Sequence, residues 1–296
     1  LAYDSRAGQR RIWAATSSFW GTLLRSSDDF GKSWTNPQQA PVRFPADAGA
    51  SLKNIWQITL GPPDEANVLY CGVEPAALFE TRDAGETWSL IRGLFDHPHR
   101  PRWMAGNGGL ALHSIVLDPA NKQRMYVAIS AGGVYRTEDG GATWTAQNKG
   151  ISALFMPDKY PEFGQCVHKI AMHPARPERL FLQNHRGIYR SDNCAGNWTD
   201  IANGVPSDFG FPVVMHPHNP DCAYVVPVES GISLLMRWPP ARLSNAQCRR
   251  LLGSPHARIA AKAGLRDRLA RCHDRGFLRS CRALLWDPQR ATLWLE

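Results

Sequence analysis

The first 233 residues lack an excess of positive charge, although the whole chain has a formal net charge of +8. They contain 21 of the 34 Lys and Arg residues and 22 of the 26 Asp and Glu residues, which is a net charge of −1. Residues 234–296 carry the other 13 Lys and Arg residues and the other 4 Asp and Glu residues, which is a net charge of +9. Because nucleic-acid binding needs a basic surface, we expect no nucleic-acid partner for residues 1–230.

The chain also lacks any Cys-x-x-Cys pair among its seven cysteines, and no metal-finger spacing is present. No apolar run reaches the roughly 18–20 residues that span a membrane, so we expect no membrane partner. The chain has no initial methionine and starts at Leu1, within a predicted strand. This start indicates that an N-terminal segment is missing. We expect a cytoplasmic protein, although a signal peptide would have been lost with that segment.

An eight-residue box with the pattern Ser/Thr-x-Asp-x-Gly-x-Ser/Thr-Trp is the most informative feature that is present. Its three regular copies occupy residues 27–34, 81–88 and 137–144. An altered copy at 191–198 has Asn193 in place of the aspartate and Ala195 in place of the glycine. The final tryptophans of successive boxes are 54, 56 and 54 residues apart. A fixed period of this size is typical of a repeat architecture.

Each box predicts a tight hairpin turn between two strands. The glycine supplies a positive φ, and the aspartate bonds nearby backbone N–H groups. The tryptophan enters the next strand and offers a large apolar face to a neighbour. We therefore assign structural roles to Asp29, Gly31, Trp34, Asp83, Gly85, Trp88, Asp139, Gly141, Trp144, Asn193 and Trp198.

Short β-type runs, the first of each repeat ended by a proline turn, recur at similar distances from each box. In the fourth repeat the second strand is predicted at 180–183 and the third at 188–191. Together with the boxes these runs give four short antiparallel strands per repeat, which predicts an all-β fold, a β-propeller of four-stranded antiparallel blades. Residues 1–230 contain about four to five blades, and the fifth stops after its second strand. We expect an intact parent of six or seven blades. An unclosed ring exposes strand edges, so we expect this chain to be poorly soluble or partly unfolded.

Residues 231–296 do not continue the repeat. This tail has 12 Arg and one Lys, and no box where the next tryptophan is expected near residue 252. One interpretation is a basic helical extension around residues 245–278, which would bind nucleic acid or another acidic surface. The other is a reading-frame error, since a one-base shift over residues 279–294 can encode two strands of a further blade. We favour the second interpretation, in which the chain is a fragment with an out-of-frame C-terminus.

The boxes resemble the Asp-box, or BNR, repeats of the sialidase-like superfamily of β-propellers. This superfamily includes sialidases, xyloglucan-type glucanases, sortilin-type receptors and photosystem II assembly factors. The chain is most similar to bacterial proteins labelled sialidase-like or glycosyl hydrolase, and to photosystem II assembly factor-like proteins. The resemblance covers about residues 1–230, and it implies a ligand site on the face opposite the boxes.

A sialidase would also carry a Phe/Tyr-Arg-Ile-Pro motif and a Tyr/Glu nucleophile pair. The run Val42-Arg43-Phe44-Pro45 resembles the motif loosely, but it follows the first visible box instead of preceding it. The resemblance implies Arg43 as a candidate catalytic residue. No Tyr/Glu pair can be selected by spacing, so the sequence does not support catalysis by the sialidase route.

Blade geometry predicts which residues share the face opposite the boxes. The turns between second and third strands lie there, as do the long connections between blades at 94–112 and 150–167. Connections of this length in a compact β fold are often functional, although they can also be plain linkers. We expect a ligand-binding mouth formed by His97, His99, Arg100, Trp103, His113, Tyr160, Glu162, Gln165, His168, Asn184 and His185.

Histidines and carboxylates that converge on one mouth suit metal binding or acid–base chemistry. His113, His168 and His185 are candidate ligands of a divalent metal, although the sequence requires no cofactor. The alternative is that the histidines bond loop backbone. Glu74 and Glu229 are candidate paired carboxylates for glycoside hydrolysis.

Two functions remain open at this point, because a fold does not fix a function. The leading hypothesis is a scaffold that binds a glycan, a small molecule or a protein through its histidine-rich face. The alternative is a glycoside hydrolase, exo-sialidase-like or acting on another glycan, which uses carboxylates on the same face.

Overall fold

The computed structural model describes residues 1–19, 21–106 and 108–228, together with the backbone of 285–287 and 292–294. Five successive antiparallel sheets occupy residues 1–228 and are numbered here as blades 1 to 5. The prediction of an all-β, partial β-propeller with four-stranded blades is confirmed by this architecture.

The strands are numbered in chain order. Blade 1 comprises β1 (Ala2–Asp4), β2 (Arg11–Ser18) and β3 (Gly21–Ser27). Blade 2 comprises β4 (Asn54–Leu60), β5 (Leu69–Glu74), β6 (Ala77–Thr81) and β7 (Ser89–Leu90). Blade 3 comprises β8 (Leu112–Leu117), β9 (Met125–Ile129), β10 (Gly133–Thr137) and β11 (Thr145–Ala146). Blade 4 comprises β12 (Val167–His173), β13 (Arg176–Asn184), β14 (Ile188–Ser191) and β15 (Thr199–Asp200). Blade 5 comprises β16 (Gly210–His216) and β17 (Asn219–Pro227).

Helical structure among the described residues is confined to short segments of the connections. A four-residue helix, α1 (Arg92–Phe95), follows blade 2, and a 3-10 turn at Arg100–Arg102 comes after it. Two more 3-10 turns lie at Arg6–Gly8 and Ala46–Ala48. No helix among the described residues is long and apolar enough to cross a membrane.

Within each four-stranded blade the strands pair in chain order, so that each blade is a simple antiparallel meander. The first strands β4, β8, β12 and β16 contact one another in succession, which places them on the inner side of the array. The fourth strands have only two residues each. In blade 1 no fourth strand forms among the described residues. Thr35 N–H instead donates to Ser26 O at 2.9 Å, and Ser26 N–H donates to Thr35 Oγ1 at 2.8 Å.

The hydrophobic core lies between blades, and the middle strand of a blade serves two interfaces at once. In β9, Met125, Val127 and Ile129 pack in the cluster between blades 2 and 3. The alternate residues Tyr126 and Ala128 pack in the cluster between blades 3 and 4. Successive side chains of a strand point to opposite faces, so an uninterrupted apolar run is what this double burial requires.

The regular boxes form hairpins in which the aspartate accepts hydrogen bonds from its neighbours. In the third box, Thr137 Oγ1 donates to Asp139 Oδ1 at 2.7 Å, and Thr143 N–H donates to the same oxygen at 2.9 Å. Gly141 adopts a φ of 102° and donates its N–H to Thr137 Oγ1 at 2.9 Å. Hydrogen bonds from the Thr143 side chain and backbone lower the pKa of Asp139 to about 2. Equivalent bonds form in the boxes at 27–34 and 81–88.

The altered fourth box keeps this geometry with different groups. Asn193 Oδ1 accepts from Ser191 Oγ at 2.9 Å and from Asn197 N–H at 3.0 Å. Its amide nitrogen donates to Asn197 Oδ1, a contact that a carboxylate could not make. Ala195 takes the glycine position with a φ of 65°, a conformation that is strained for a residue with a side chain. The hairpin therefore survives the loss of both the aspartate and the glycine.

The chain divides into two units, Leu1–Ala257 and Arg258–Glu296. In the second unit, β18 (Leu285–Asp287) and β19 (Thr292–Trp294) pair as an antiparallel hairpin. The helical-extension and reading-frame interpretations of residues 231–296 otherwise concern positions outside the described residues.

Candidate functional site

Backbone hydrogen bonds show which ends of the strands lie together. The second and third boxes are bonded to the turn between the first two strands of their own blades, as Gly140 N–H to Gln123 O at 2.9 Å illustrates. The fourth box is bonded to Glu178 O near the start of β13. We call this end the box face. The other end, where β4, β8, β12 and β16 begin, carries the blade-to-blade connections and the turns between second and third strands. We call it the connection face.

A cluster of rings fixes the connection between blades 2 and 3. Trp103 Nε1 donates to the hydroxyl of Tyr135 at 2.8 Å, and that hydroxyl lies 3.1 Å from His99 Nδ1. The His99 ring stacks on Phe163 with 4.1 Å between centroids. Its Nε2 lies 3.8 Å from Glu162 Oε1, and the Glu162 side chain is 73% exposed. This network directs one imidazole nitrogen toward a solvent-exposed carboxylate.

His97 and Arg100 stabilise the same connection from inside. His97 Nε2 donates to Trp144 O at 3.2 Å, and its Nδ1 accepts from the backbone N–H of His99 at 3.1 Å. Burial and the neighbouring His99 lower the pKa of His97. The Arg100 guanidinium stacks 3.8 Å from the centroid of the Phe95 ring. Both side chains are thus committed to contacts within the fold.

The other predicted mouth residues differ sharply in exposure. Gln165 is fully buried and donates to Pro161 O at 2.6 Å. Asn184 is 1% exposed and donates to Ser152 O at 2.9 Å. Trp103 is also buried, whereas Tyr160 is 64% exposed. Sequence could not separate these cases, because loop polarity does not tell which amides satisfy buried carbonyl groups.

His113 lies near the start of β8, the inner strand of blade 3, and both of its ring nitrogens have partners. Nε2 donates to Val167 O at 2.9 Å, and Nδ1 lies 3.2 Å from Ser114 Oγ. Burial lowers the pKa of His113 to about 4, and the nearby Lys169 ammonium contributes. This is the backbone-bonding alternative considered for the histidines, and it leaves His113 without a free nitrogen for a metal ion.

His168 and His185 meet a third donor that sequence reasoning missed, Cys166. One donor atom from each of the three residues lies within 4.8 Å of the others, and all three residues are half-buried. The only sequence signal was the Cys-x-His spacing at the start of β12. Burial lowers the pKa values of both imidazoles and raises that of the thiol. The structure thus groups two of the candidate histidines with a cysteine in place of His113.

A carboxylate and an exposed indole are paired at the start of blade 2 on the connection face. Trp56 Nε1 donates to Glu74 Oε2 at 3.1 Å, and Asn54 Nδ2 donates to the same oxygen at 3.3 Å. Trp56 is 49% exposed. Gly109 lies over the carboxylate, since a Cβ at this position would be 2.5 Å from Glu74 Oε1. The second carboxylate considered for hydrolysis, Glu229, lies outside the described residues.

Arg43 lies away from these groups. It is exposed, donates to Gln39 Oε1, and belongs to the segment that joins blades 1 and 2. It lines a cleft of about 1210 Å³ between blade 1 and the box of blade 2, together with Trp13 and Trp88. The lining of this cleft includes neither Glu74 nor any of the candidate histidines.

No protein-family profile matches the chain. A probable oligoxyloglucan-reducing end-specific xyloglucanase from Neosartorya fischeri is 29% identical over 119 residues, which are 40% of this chain and 13% of the relative. A xyloglucanase from a Paenibacillus species is 29% identical over 139 residues, 43% of this chain and 13% of that relative. The crystal structure of a GH74 enzyme from Niastella koreensis superposes with a TM-score of 0.53 and 20% identity, over 75% of this chain and 32% of that one. The aligned region thus spans about an eighth of the curated relatives, and the chain is a β-propeller with local sequence similarity to xyloglucanases.

Proposed function

We propose that the intact protein is a glycoside hydrolase of the xyloglucanase type, and that blades 1 to 5 contribute part of its glycan-binding face. The sequence similarity to two xyloglucanases supports the substrate class. The Trp56–Glu74 pair on the connection face is the observation that carries the proposal at the level of residues. The similarity favours the hydrolase over the scaffold hypothesis.

The pair has the chemistry that a sugar ring requires. An exposed indole offers a flat apolar face to the C–H side of a pyranose, while a carboxylate accepts hydrogen bonds from its hydroxyl groups. The two groups are already joined at 3.1 Å, so little side-chain entropy is lost on binding. Further exposed apolar side chains on the connections could extend such a surface, namely Met104, Leu154, Phe155 and Tyr160.

As part of the same proposal, we assign the repeats to the Asp-box propellers of the sialidase-like superfamily. This assignment is supported by the hydrogen-bonded boxes, in which Asp29, Asp83 and Asp139 accept from the residues four positions later. A glycan site on the connection face would then lie opposite the boxes.

The test is glycan binding by the full chain, measured by calorimetry with xyloglucan oligosaccharides, alongside release of reducing ends from xyloglucan and other polysaccharides. Trp56→Ala should weaken binding about 10-fold, or about 1.4 kcal/mol. Glu74→Gln keeps the shape and removes the charge, so it should lower affinity or abolish any turnover. Trp34→Ala is the matched control, because Trp34 is a partly exposed tryptophan of a box.

Binding without turnover by the full chain would favour the scaffold hypothesis. An equal loss of affinity in Trp34→Ala and Trp56→Ala would show that the glycan does not bind specifically to the connection face. No binding to any glycan tested would overturn the proposal.

A further inference from the structure

We propose that Cys166, His168 and His185 form a zinc-binding site on the connection face of blade 4. The donor atoms are one thiol sulfur and two imidazole nitrogens, which lie within 4.8 Å of one another. This proposal is independent of the glycan-related function and differs from a three-histidine site, because His113 has no part in it.

The distance between two of the donors already matches tetrahedral zinc. Cys166 Sγ lies 3.6 Å from His168 Nε2. Bond lengths of about 2.3 Å to sulfur and about 2.05 Å to nitrogen, at a tetrahedral angle, put the two ligand atoms about 3.6 Å apart. Without metal, the same distance allows the thiol to donate a weak hydrogen bond to the imidazole. The ion would therefore replace a proton without moving these two side chains.

His168 is oriented in the way that metal-binding histidines require. Its Nδ1 lies 2.6 Å from the carbonyl oxygen of Gly210, so Nδ1 carries the proton and Nε2 presents a lone pair to the thiol. A carbonyl that accepts from the second ring nitrogen fixes the tautomer and raises the basicity of the ligand nitrogen. The ring also stacks on Phe211 with 4.8 Å between centroids and 11° between planes, which restricts its rotation.

The other two ligands are held by backbone contacts between separate segments. The N–H of His185, in the turn between β13 and β14, donates to the carbonyl of Cys166 at 2.8 Å. Neither ring nitrogen of His185 has a hydrogen-bond partner among the described residues, and its ring centroid is 5.4 Å from that of His168. The site thus joins a connection, an inner strand and a hairpin turn.

The ligand chemistry selects the metal. One sulfur and two imidazole nitrogens suit Zn²⁺ and exclude Mg²⁺ and Ca²⁺, which prefer oxygen ligands. Three protein ligands leave one coordination position for water or a ligand group. Because all three residues are half-buried, the ion has access from solvent.

The experiment uses the purified full chain, stripped with a chelator under reducing conditions and titrated with Zn²⁺ in competition with a chromophoric chelator. We expect one equivalent that disappears in Cys166→Ser and in His185→Gln, each with at least a 100-fold loss of affinity. Cobalt(II) should give a thiolate charge-transfer band that Cys166→Ser removes. His113→Gln and Cys194→Ser are matched controls, since each replaces a nearby histidine or a free cysteine outside the group.

Cysteines and histidines in residues 229–296 can also bind zinc, so the decisive quantity is the difference between the chain and its variants. Unchanged stoichiometry and affinity in both Cys166→Ser and His185→Gln would overturn the proposal. So would the absence of any zinc binding by the unaltered chain. Circular dichroism of each variant identifies loss of fold, and the two variants alter separate segments, so that they test the site independently.

Discussion

Trp198 donates its indole N–H to the carbonyl of Gln147 at 2.8 Å, across the boundary between blades 4 and 3. In the regular third box, the equivalent Trp144 donates to Gly141 within its own hairpin at 3.1 Å. The altered box has therefore exchanged a bond inside the turn for a bond to the preceding blade. Trp144 and Trp198 both pack in core clusters between blades, whereas Trp34 is exposed. The burial of each box tryptophan should therefore determine its contribution to stability.

Trp144→Ala should destabilise the fold by about 3–5 kcal/mol, because it removes a large aromatic ring from a core cluster and leaves a cavity. Trp144 is 5% exposed, whereas Trp34 is 37% exposed, so Trp34→Ala should cost about 1 kcal/mol or less. Both tryptophans make the same bond to a box glycine, at 3.1 Å. Urea unfolding followed by circular dichroism measures the difference. An equal loss of unfolding free energy in the two variants would show that the ring stabilises the turn and not the contact between blades.

Acid should weaken the regular boxes but not the altered one. Hydrogen bonds from Thr143 and Thr137 lower the pKa of Asp139 to about 2, below the unfolded value of about 3.9. The stabilisation is therefore complete above about pH 4 and is lost as the pH falls toward 2. Asp139→Asn should make the decline in melting temperature over this range shallower, and Asn193→Asp should make it steeper. An unchanged pH dependence in both variants would contradict this assignment.

His113 should titrate well below an ordinary histidine. Burial, helped by Lys169, lowers its pKa to about 4, against an unfolded value of about 6.5. Between these values the unfolded chain binds more protons, so stability falls as the pH is lowered from about 6.5 to 4. The loss is at most about 3 kcal/mol. An NMR titration of the His113 ring proton, assigned with His113→Gln, checks this. A midpoint near 6.5 would show that the ring is solvated.

Arg6 should be a strong stabilising contact between blades 1 and 2. It pairs with buried Asp4 at 2.8 Å and donates to the carbonyls of Gly61 and Val68 at 3.0 and 3.1 Å. Arg6→Met leaves the buried Asp4 carboxylate without its charged partner and only with the backbone N–H of residue 6, which costs about 3–5 kcal/mol.

The exposed pair Arg11–Asp28 is the control for Arg6, with side chains 28% and 66% exposed. Arg11→Met should cost less than about 1 kcal/mol, because solvent screens this pair. Chemical unfolding of both variants gives the comparison, and equal effects would refute the special role of Arg6.

Most of the fold could be predicted from the sequence because the period and the turn chemistry agree. The predicted third strand at 188–191 matches β14, since its β-type run leads directly into a box. Boundaries were harder to predict where polar residues extend a strand. The second strand predicted at 180–183 begins at Arg176 in the structure, because Arg176 pairs with His173 beyond a register shift that follows the Met172–Leu180 pair.

The site could be predicted only in part, because side-chain partners on different segments are not encoded in local spacing. Cys166 was overlooked since it forms no Cys-x-x-Cys pair, and its partner His185 follows two strands later, after β12 and β13. Trp56 was overlooked because it lies in a predicted inner strand and belongs to no motif, whereas it is 49% exposed and bonded to Glu74. Gln165 shows the reverse case, a polar loop residue that is fully buried.

The double burial of β9 also bears on how this sequence can change over evolutionary time. Met125, Val127 and Ile129 face one neighbouring blade, while Tyr126 and Ala128 face the other. Substitutions at positions 125, 127 and 129 should therefore covary with residues of the preceding blade. Substitutions at positions 126 and 128 should covary with residues of the following blade. Among homologous sequences, each middle strand would carry two interleaved sets of correlated sites, and a duplicated or deleted blade would have to match both sets at once.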